Sequence, residues 1–415
     1  MKRLTILLSL MVLCTTVGIA QGPTFIETPD YSFTHFDRNH LIYPGDSVAM
    51  EHFFNKLDTL FFTGKGHVNI MHIGGSHVQA GTFSQQMRDN LLNLFPGITA
   101  GRGMVFPYMN TNTPASYCIS YTGEWEYFRN ALPFETRMGL AGASTTTSDT
   151  AASFSIVTRE KNPRDITPVF DFNLVKVLGY GSLTPVVHFD KEIINGTYSE
   201  EEGAYTFILP GYTDSLYVDF DHKPGTFTVT GVYLDNGMPG ITYHGIGING
   251  ARVDSYLKCK DLKRDLKLVN PDLVIFGIGI NDAATESFTK ERFVRDYDML
   301  IDIILDVNPD CALLFVTNND SYKKIGKKKK AKYEVNPNGE LAEQAFMELG
   351  RKHNGAVWDF FDIMGGLTSM QNWQDEGIAQ PDKVHFTSSG YMLIGDLLFN
   401  ALMEKYTEHL TRNSK

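Results

Sequence analysis

One serine in this 415-residue chain stands where a nucleophile could be activated. Ser76 follows the apolar run 67–73 and begins a stretch with helical periodicity. The unpaired N–H groups and positive potential of a helix N-terminus stabilise negative charge on an attacked carbonyl oxygen. A serine at that place is more often an N-cap residue. Ser76 is therefore a candidate nucleophile that needs a partner base.

A candidate base lies near the other end of the chain, where Asp382 precedes His385 by three residues. In a non-helical segment, such an aspartate can bind Nδ1 and fix the tautomer, which leaves Nε2 to act as a general base. The chain has 12 histidines, so this spacing is a weak signal by itself. We favour His385 because its carboxylate partner is local and a helix follows at once.

Two further polar segments follow apolar runs that are typical of strands. Gly250 comes after the run Ile241–Ile248, and Asn281 comes after Leu273–Phe276. In an open α/β sheet, ligands bind at the carboxyl ends of the strands. A glycine there can present its N–H and an asparagine its side-chain amide. With the N–H of Ser76, these residues predict three donors for an oxyanion.

The elements that must position these residues are repeated strand-then-helix units. One unit lies in residues 67–103 and the others lie in residues 241–410. Continuous apolar runs are typical of strands buried on both faces, and helices between them imply a parallel sheet. We therefore predict an α/β fold, a three-layer α/β/α arrangement around a parallel sheet.

Residues 104–240 have a different pattern. Short runs rich in aromatic and β-branched residues alternate with Gly, Pro and Asp, and helical periodicity is absent. This predicts a β-sandwich inserted into the α/β domain after its first strand and helix. Its aromatic residues at 117–128 could stack on sugar rings, but alternation along strands favours a role in the sandwich core.

The first 20 residues predict a cleaved export signal. Lys2 and Arg3 precede an apolar run, and small residues allow cleavage near Ala20. We therefore expect an exported protein, periplasmic or extracellular, in which residues 21–66 form an N-terminal lead-in. Three cysteines would remain after cleavage, too few for a disulfide framework.

Charge and composition argue against several classes of partner. The 37 basic and 48 acidic side chains give a net charge of −11, which disfavours nucleic-acid binding. Beyond the export signal, no apolar run is long enough to predict a stable membrane span. No Cys/His spacing predicts a metal site, and we expect no cofactor.

The four blocks around Ser76, Gly250, Asn281 and the Asp382/His385 pair resemble those of the SGNH (GDSL-type) hydrolases. The resemblance implies that Ser76 is the nucleophile, that His385 is the general base and acid, and that Asp382 orients the histidine. It also implies an oxyanion hole formed by the N–H groups of Ser76 and Gly250 and the side chain of Asn281.

The resemblance covers residues 67–103 and 241–406, and the segment between them indicates a subfamily. A β insertion at this place is similar to that of bacterial peptidoglycan O-acetylesterases, which carry a carbohydrate-binding-like module there. An exported esterase that removes O-acetyl groups from an O-acylated glycan is implied, with peptidoglycan favoured. Another polysaccharide remains an alternative. Because Gly75 stands where the family usually has Asp, a glycan-binding protein with a weak or inactive site is a second alternative.

A competing interpretation is a dinucleotide-binding fingerprint. Gly245, Gly247 and Gly250 have the GxGxxG spacing between a predicted strand and helix. The next strand ends near Gly277 without an acidic residue that could bind a ribose, and the fingerprint leaves Ser76 unexplained. We therefore expect no nucleotide cofactor.

Overall fold

The computed structural model describes residues 25–94, 98–109, 115–160, 170–326 and 332–413. The predicted export signal lies outside these ranges. Within them, no helix combines the length and apolarity needed to cross a bilayer. The three cysteines Cys118, Cys259 and Cys311 carry free thiols.

The strands and helices are numbered in chain order. The strands are β1 (Leu41–Ile42), β2 (His67–Gly74), β3 (Thr99–Gly101), β4 (Gly103–Val105), β5 (Tyr117–Thr122), β6 (Glu126–Arg129), β7 (Ala143–Thr147), β8 (Ser153–Glu160), β9 (Phe172–Gly181), β10 (Pro185–Phe189), β11 (Glu192–Asn195), β12 (Thr197–Ser199), β13 (Ala204–Thr213), β14 (Ser215–Phe220), β15 (Phe227–Asp235), β16 (Gly240–Gly247), β17 (Leu273–Gly277), β18 (Ala312–Val316), β19 (Tyr322–Ile325), β20 (Lys332–Val335) and β21 (Ala356–Trp358). The α-helices are α1 (Val48–Thr63), α2 (Ser76–Gln79), α3 (Thr82–Leu94), α4 (Val253–Leu257), α5 (Leu262–Val269), α6 (Ile280–Ala283), α7 (Lys290–Val307), α8 (Asn338–Lys352), α9 (Phe360–Ile363), α10 (Ser369–Asp375) and α11 (Ser388–Asn413).

A seven-stranded sheet with the order β1-β21-β18-β17-β2-β16-β3 lies at the centre of the fold. All neighbouring strands are parallel except β1 and β21. The prediction of a parallel sheet is therefore right for six strands and wrong at one edge. The two-residue strand β1 enters the sheet before the first strand–helix unit, so no crossover helix fixes its direction.

Both faces of the central sheet are covered by apolar side chains. Ile70 and Ile275 face a core shared with α1, α3 and α11. Met71 and Phe276 face a second core, shared with α4, α5, α7 and α8. Successive strand residues point to opposite faces, so a strand buried on both faces is apolar throughout.

Two antiparallel sheets lie between β3 and β16 in the chain. One has the order β11-β10-β14-β8-β5, and the other has β12-β13-β9-β15-β7-β6 with β4 also paired to β15. Side chains such as Phe154 and Val175 form a core between the two sheets. On the opposite face of the second sheet, Leu178 and Tyr233 join the core that covers the central sheet. The second antiparallel sheet therefore packs directly on the α/β part.

Two helical segments are interrupted where the periodicity predicts continuous helices. The helix that begins at Ser76 stops at Gln79 and resumes at Thr82, because Gly81 adopts a left-handed backbone (φ 83°). A Cβ at Gly81 would also lie 2.7 Å from the Cβ of Ser116. The predicted helix after β16 is likewise divided, into α4 and α5.

Candidate active site

Ser76, His385 and Asp382 form one chain of hydrogen bonds, although 309 residues separate the serine from the histidine. Ser76 Oγ lies 2.6 Å from His385 Nε2. On the other side of the ring, Nδ1 lies 2.7 Å from Asp382 Oδ2. This order allows an imidazole to accept a serine proton while a carboxylate holds the opposite nitrogen. The structure thus brings together the three residues with predicted catalytic roles.

The position of Ser76 is set by the end of the central strand β2. Gly75 is the N-cap of α2 and Ser76 is its first residue, as the sequence pattern predicts. A Cβ at Gly74 would lie 2.8 Å from the carbonyl oxygen of Gly277 and would collide with Val78. The absence of a side chain at Gly74 therefore lets the chain turn sharply and expose the serine at the sheet edge.

Backbone hydrogen bonds fix the loop that carries Asp382 and His385. Asp382 Oδ1 accepts from the N–H groups of Val384 and His385, both at 3.0 Å. The Asn319 side chain donates to the carbonyl oxygen of Val384 at 3.0 Å. The N–H of Gln380 donates to the carbonyl oxygen of His385 at 2.7 Å. The histidine is therefore held by both its ring and its main chain.

The carboxyl group of Asp382 is ionised throughout the neutral pH range. Burial by itself would raise its pKa, but hydrogen bonds from the His385 ring and from two backbone N–H groups outweigh this and lower the pKa to about 2. An ionised carboxylate on Nδ1 fixes the tautomer of His385 and stabilises the imidazolium that forms when the ring accepts a proton.

Gly250 and Asn281 follow the two strands that flank β2. Strands β16 and β17 pair with β2 on its two sides. Gly250 is exposed and has a left-handed backbone, with φ 82°. Asn281 Nδ2 donates to the carbonyl oxygen of Ala251 at 2.9 Å. This bond holds the asparagine amide beside the Gly250 turn.

Gly75, the departure from the SGNH pattern, lies against the same amide. A Cβ at this position would lie 3.2 Å from Asn281 Nδ2 and 3.6 Å from the carbonyl oxygen of Ala251. The φ of Gly75 is −96°, so its backbone does not require glycine. The missing side chain therefore leaves room for Asn281 next to Ser76.

Close packing accounts for two of the glycines in the GxGxxG spacing. A Cβ at Gly247 would collide with the backbone nitrogen of Gln79, and one at Gly245 would lie 3.1 Å from Ser84 Oγ. These glycines let β16 approach the helices that follow Ser76. Their spacing therefore has a structural explanation that involves no nucleotide.

Three residues that the sequence did not single out for catalysis support the predicted site. Gln79 Oε1 accepts a hydrogen bond from the N–H of Asn249, which links α2 to the Gly250 turn. The Asp282 carboxylate accepts from the N–H of Val253 at 3.3 Å. Burial raises the pKa of Asp282 to about 7, although that hydrogen bond opposes the rise. The third residue, His77, lies beside the His385 ring, and the local sequence carries no signal for this contact.

Across the described ranges, no group of three or more His, Cys, Asp or Glu side chains is placed to hold a metal ion. The hydrogen-bonded chain from Ser76 to Asp382 can activate a nucleophile with protein groups alone.

Comparison with known proteins connects this geometry to a family. Residues 213–393 match the GDSL-like Lipase/Acylhydrolase family. This range holds Gly250, Asn281, Asp382 and His385, whereas Ser76 enters the site through the fold. No curated protein sequence matches the chain.

Among solved structures, the chain is similar to one described as "Peptidoglycan O-acetylesterase in action, 5 min", with a TM-score of 0.73 and 19% sequence identity over 89% of this chain and 99% of the other. A lipase/acylhydrolase from Enterococcus faecalis gives a TM-score of 0.29 and 21% identity over 39% of this chain and 74% of that one. A family two carbohydrate esterase from Cellvibrio japonicus gives a TM-score of 0.29 and 10% sequence identity, over 70% of this chain and 100% of the other. The first similarity shows a shared fold, and the other two scores are too low to support an inference.

The family match and the shared fold agree with the resemblance that the four sequence blocks indicate. Residues 213–393 therefore belong to a GDSL-like lipase/acylhydrolase domain, and the chain is a carboxylic ester hydrolase.

Proposed function

We propose that this hydrolase removes short acyl groups, chiefly O-acetyl groups, from a cell-envelope glycan, and that peptidoglycan is its substrate. The observation that carries the esterase chemistry is the hydrogen-bonded order of Ser76, His385 and Asp382. The support for a peptidoglycan substrate is the fold shared over 89% of the chain with a peptidoglycan O-acetylesterase.

The reaction proceeds by two acyl transfers in this proposal. His385 accepts the proton of Ser76 as Oγ attacks the ester carbonyl, and the N–H groups of Ser76 and Gly250 with the Asn281 amide stabilise the oxyanion. His385 then gives its proton to the departing sugar hydroxyl, which leaves an acyl group on Ser76. A water molecule, deprotonated by His385, attacks the acyl-enzyme and releases the acid and the free serine.

The proposed organisation of the chain is the one that the sequence predicts. Residues 1–20 are the export signal and residues 21–66 the lead-in. Residues 67–103 and 241–410 form the hydrolase domain. Residues 104–240 form an inserted carbohydrate-binding-like β-sandwich. The two antiparallel sheets with a common core support a sandwich. In this proposal the protein works in the periplasm or outside the cell, and neither nucleic acid nor a nucleotide is its partner.

Release of acetate from defined polymers tests the substrate. The protein is incubated with O-acetylated peptidoglycan, with the same peptidoglycan after alkaline removal of its esters, and with acetylated xylan. We expect acetate from the first polymer and none from the second. A faster release from xylan would show that the glycan is a different polysaccharide. Binding to the polymers without acetate release would show a glycan-binding protein with an inactive site.

Substitution of Asn281 tests the proposed oxyanion hole. Asn281→Ala removes one donor from the developing negative charge, and loss of one such donor lowers kcat by roughly 10²-fold to 10³-fold. KM should change little, because the interaction strengthens only in the transition state. The control is Asn55→Ala on the exposed face of α1, which should leave the kinetics of acetyl ester hydrolysis unchanged. A kcat for Asn281→Ala within twofold of the wild type would exclude the asparagine from the oxyanion hole.

A further inference from the structure

His77, the residue after the proposed nucleophile, lies beside the His385 ring. The ring centroids of His77 and His385 are 5.1 Å apart, and their planes meet at 45°. His77 also lies 5.9 Å from the ring of Phe386, the residue that follows His385. Asp382 holds the edge of the His385 ring, whereas His77 lies beside the ring itself.

Tyr391, near the start of α11, holds the His77 ring in turn. The Tyr391 hydroxyl lies 2.8 Å from His77 Nδ1. Burial raises the pKa of this hydroxyl, and a hydrogen bond with the backbone of Phe386 opposes the rise. The 2.8 Å bond joins Tyr391 to one of the two ring nitrogens of His77.

His77 is uncharged where the esterase works. Its Nε2 atom is buried. Burial lowers the pKa of His77 to about 3, a positive charge on His385 lowers it further, and Asp382 acts in the opposite direction. Two groups therefore flank the His385 ring: the Asp382 carboxylate is ionised and paired with it, and the His77 imidazole is neutral. A neutral neighbour does not repel the imidazolium that forms during each acyl transfer.

We propose that His77 and Tyr391 are positioning residues for His385, with the tyrosine hydroxyl fixing the angle of the His77 ring and that ring fixing the angle of the catalytic imidazole. This inference rests on the proposed function, because it assigns the pair to a reaction in which His385 moves protons. Neither residue touches the reacting atoms. Their effect is on the alignment of Nε2 with Ser76 Oγ, and small errors in such an alignment are costly.

The first test removes the hydroxyl from Tyr391. Tyr391→Phe keeps the aromatic ring, so its contact with Phe386 (ring centroids 5.6 Å apart) is retained. We expect kcat for acetyl ester hydrolysis to fall roughly tenfold with KM unchanged within twofold, because alignment acts on the transition state. The rate at which a fluorophosphonate probe labels Ser76 should fall by a similar factor. Labelling depends on proton transfer to His385 but on no glycan contact.

The matched control makes the same substitution on the same helix. Tyr406 is buried in α11, and its hydroxyl donates to Asp58 at 2.8 Å. Tyr406→Phe therefore removes a comparable hydrogen bond at a distance from the site. We expect it to lower the thermal unfolding midpoint as much as Tyr391→Phe does, without slowing probe labelling. Equal labelling rates in Tyr391→Phe and the wild type would overturn the proposal.

A double-mutant cycle tests whether Tyr391 acts through His77. His77→Phe keeps a ring beside His385 but removes the ring nitrogen that is hydrogen-bonded to Tyr391. If the tyrosine acts only through His77, adding Tyr391→Phe to His77→Phe causes no further loss of kcat. If the two substitutions lower kcat by independent factors that multiply, Tyr391 does not act through His77, and the proposal is overturned. The midpoint of the acid limb of kcat/KM should stay within 0.3 pH units of the wild type, since one neutral ring replaces another. A larger shift would indicate that His77 is charged or relays protons, and would also overturn the proposal.

Failure of this inference and failure of the proposed function give different results. If Ser76→Ala abolishes both hydrolysis and labelling while His77→Phe and Tyr391→Phe match the wild type, the positioning role is wrong and the esterase mechanism stands. If the probe labels Ser76→Ala as fast as the wild type, the proposed nucleophile itself is wrong.

Discussion

Replacing Ser76 with alanine is expected to lower kcat for acetyl ester hydrolysis by on the order of 10⁴-fold to 10⁶-fold. The substitution removes the atom that accepts the acyl group, and the remaining rate comes from substrate binding and the oxyanion donors alone. The measurement is acetate release by equal amounts of the two proteins, with thermal unfolding to show that both are folded. Acyl-enzyme formation, followed by mass spectrometry, should disappear in parallel.

A second serine–histidine contact in the chain supplies a matched control. Ser84 Oγ lies 3.4 Å from His72 Nδ1 in the interior. Burial lowers the pKa of His72 to about 3, and the charge of Arg88 adds to this effect. His72 is therefore a weak base, and we expect Ser84→Ala to retain wild-type turnover. Loss of activity in Ser84→Ala, with Ser76→Ala active, would move the nucleophile to the other pair.

Replacing Asp382 with asparagine is expected to lower kcat by roughly 10²-fold to 10⁴-fold with a small effect on KM. The side-chain oxygen of asparagine can still accept the two backbone N–H groups, so the loop should keep its shape. Its amide N–H₂ cannot accept from His385 Nδ1 and favours the tautomer whose Nε2 bears the proton. The general base is then already protonated at the nitrogen that faces Ser76.

The pH dependence of the wild type separates this effect from simple titration. The pKa of Asp382 is about 2, so its carboxylate stays ionised at any pH above about 3. Protonation of Asp382 therefore does not limit activity near neutrality, and raising the pH should not rescue Asp382→Asn. Asp375→Asn, an exposed position on α10, serves as the control and should behave as the wild type. Full activity in Asp382→Asn would show that the carboxylate has no part in catalysis.

The sequence predicts those parts of the site that depend on local pattern. An apolar run, a turn and a helix place Ser76, and three-residue spacing places Asp382 on its histidine. In both cases the residues that create the geometry are neighbours in the chain. The parallel direction of the central strands also follows from the repeated strand–helix units, because such units form parallel sheets.

The remainder depends on contacts between distant segments, for which the sequence has no periodic signal. The contact between His77 and Tyr391 joins residues 314 positions apart. The direction of β1 is fixed by its pairing with β21, more than 300 residues later. The contact between Gly75 and the amide of Asn281 likewise joins two distant segments. None of these three contacts can be predicted from the sequence, because the residues that form them are neighbours only in the folded chain.

The second antiparallel sheet shares one apolar core with the central sheet. Leu178 and Tyr233 on the inserted side pack in the same cluster as Ile246 and Phe276 on the hydrolase side. Deleting residues 103–235 would expose that cluster to water, at a cost that grows with the uncovered apolar area. These residues therefore cannot be removed or exchanged in the way that a module on a flexible linker can. A protein engineer who wants a stable working unit must therefore express the antiparallel strands together with the central sheet.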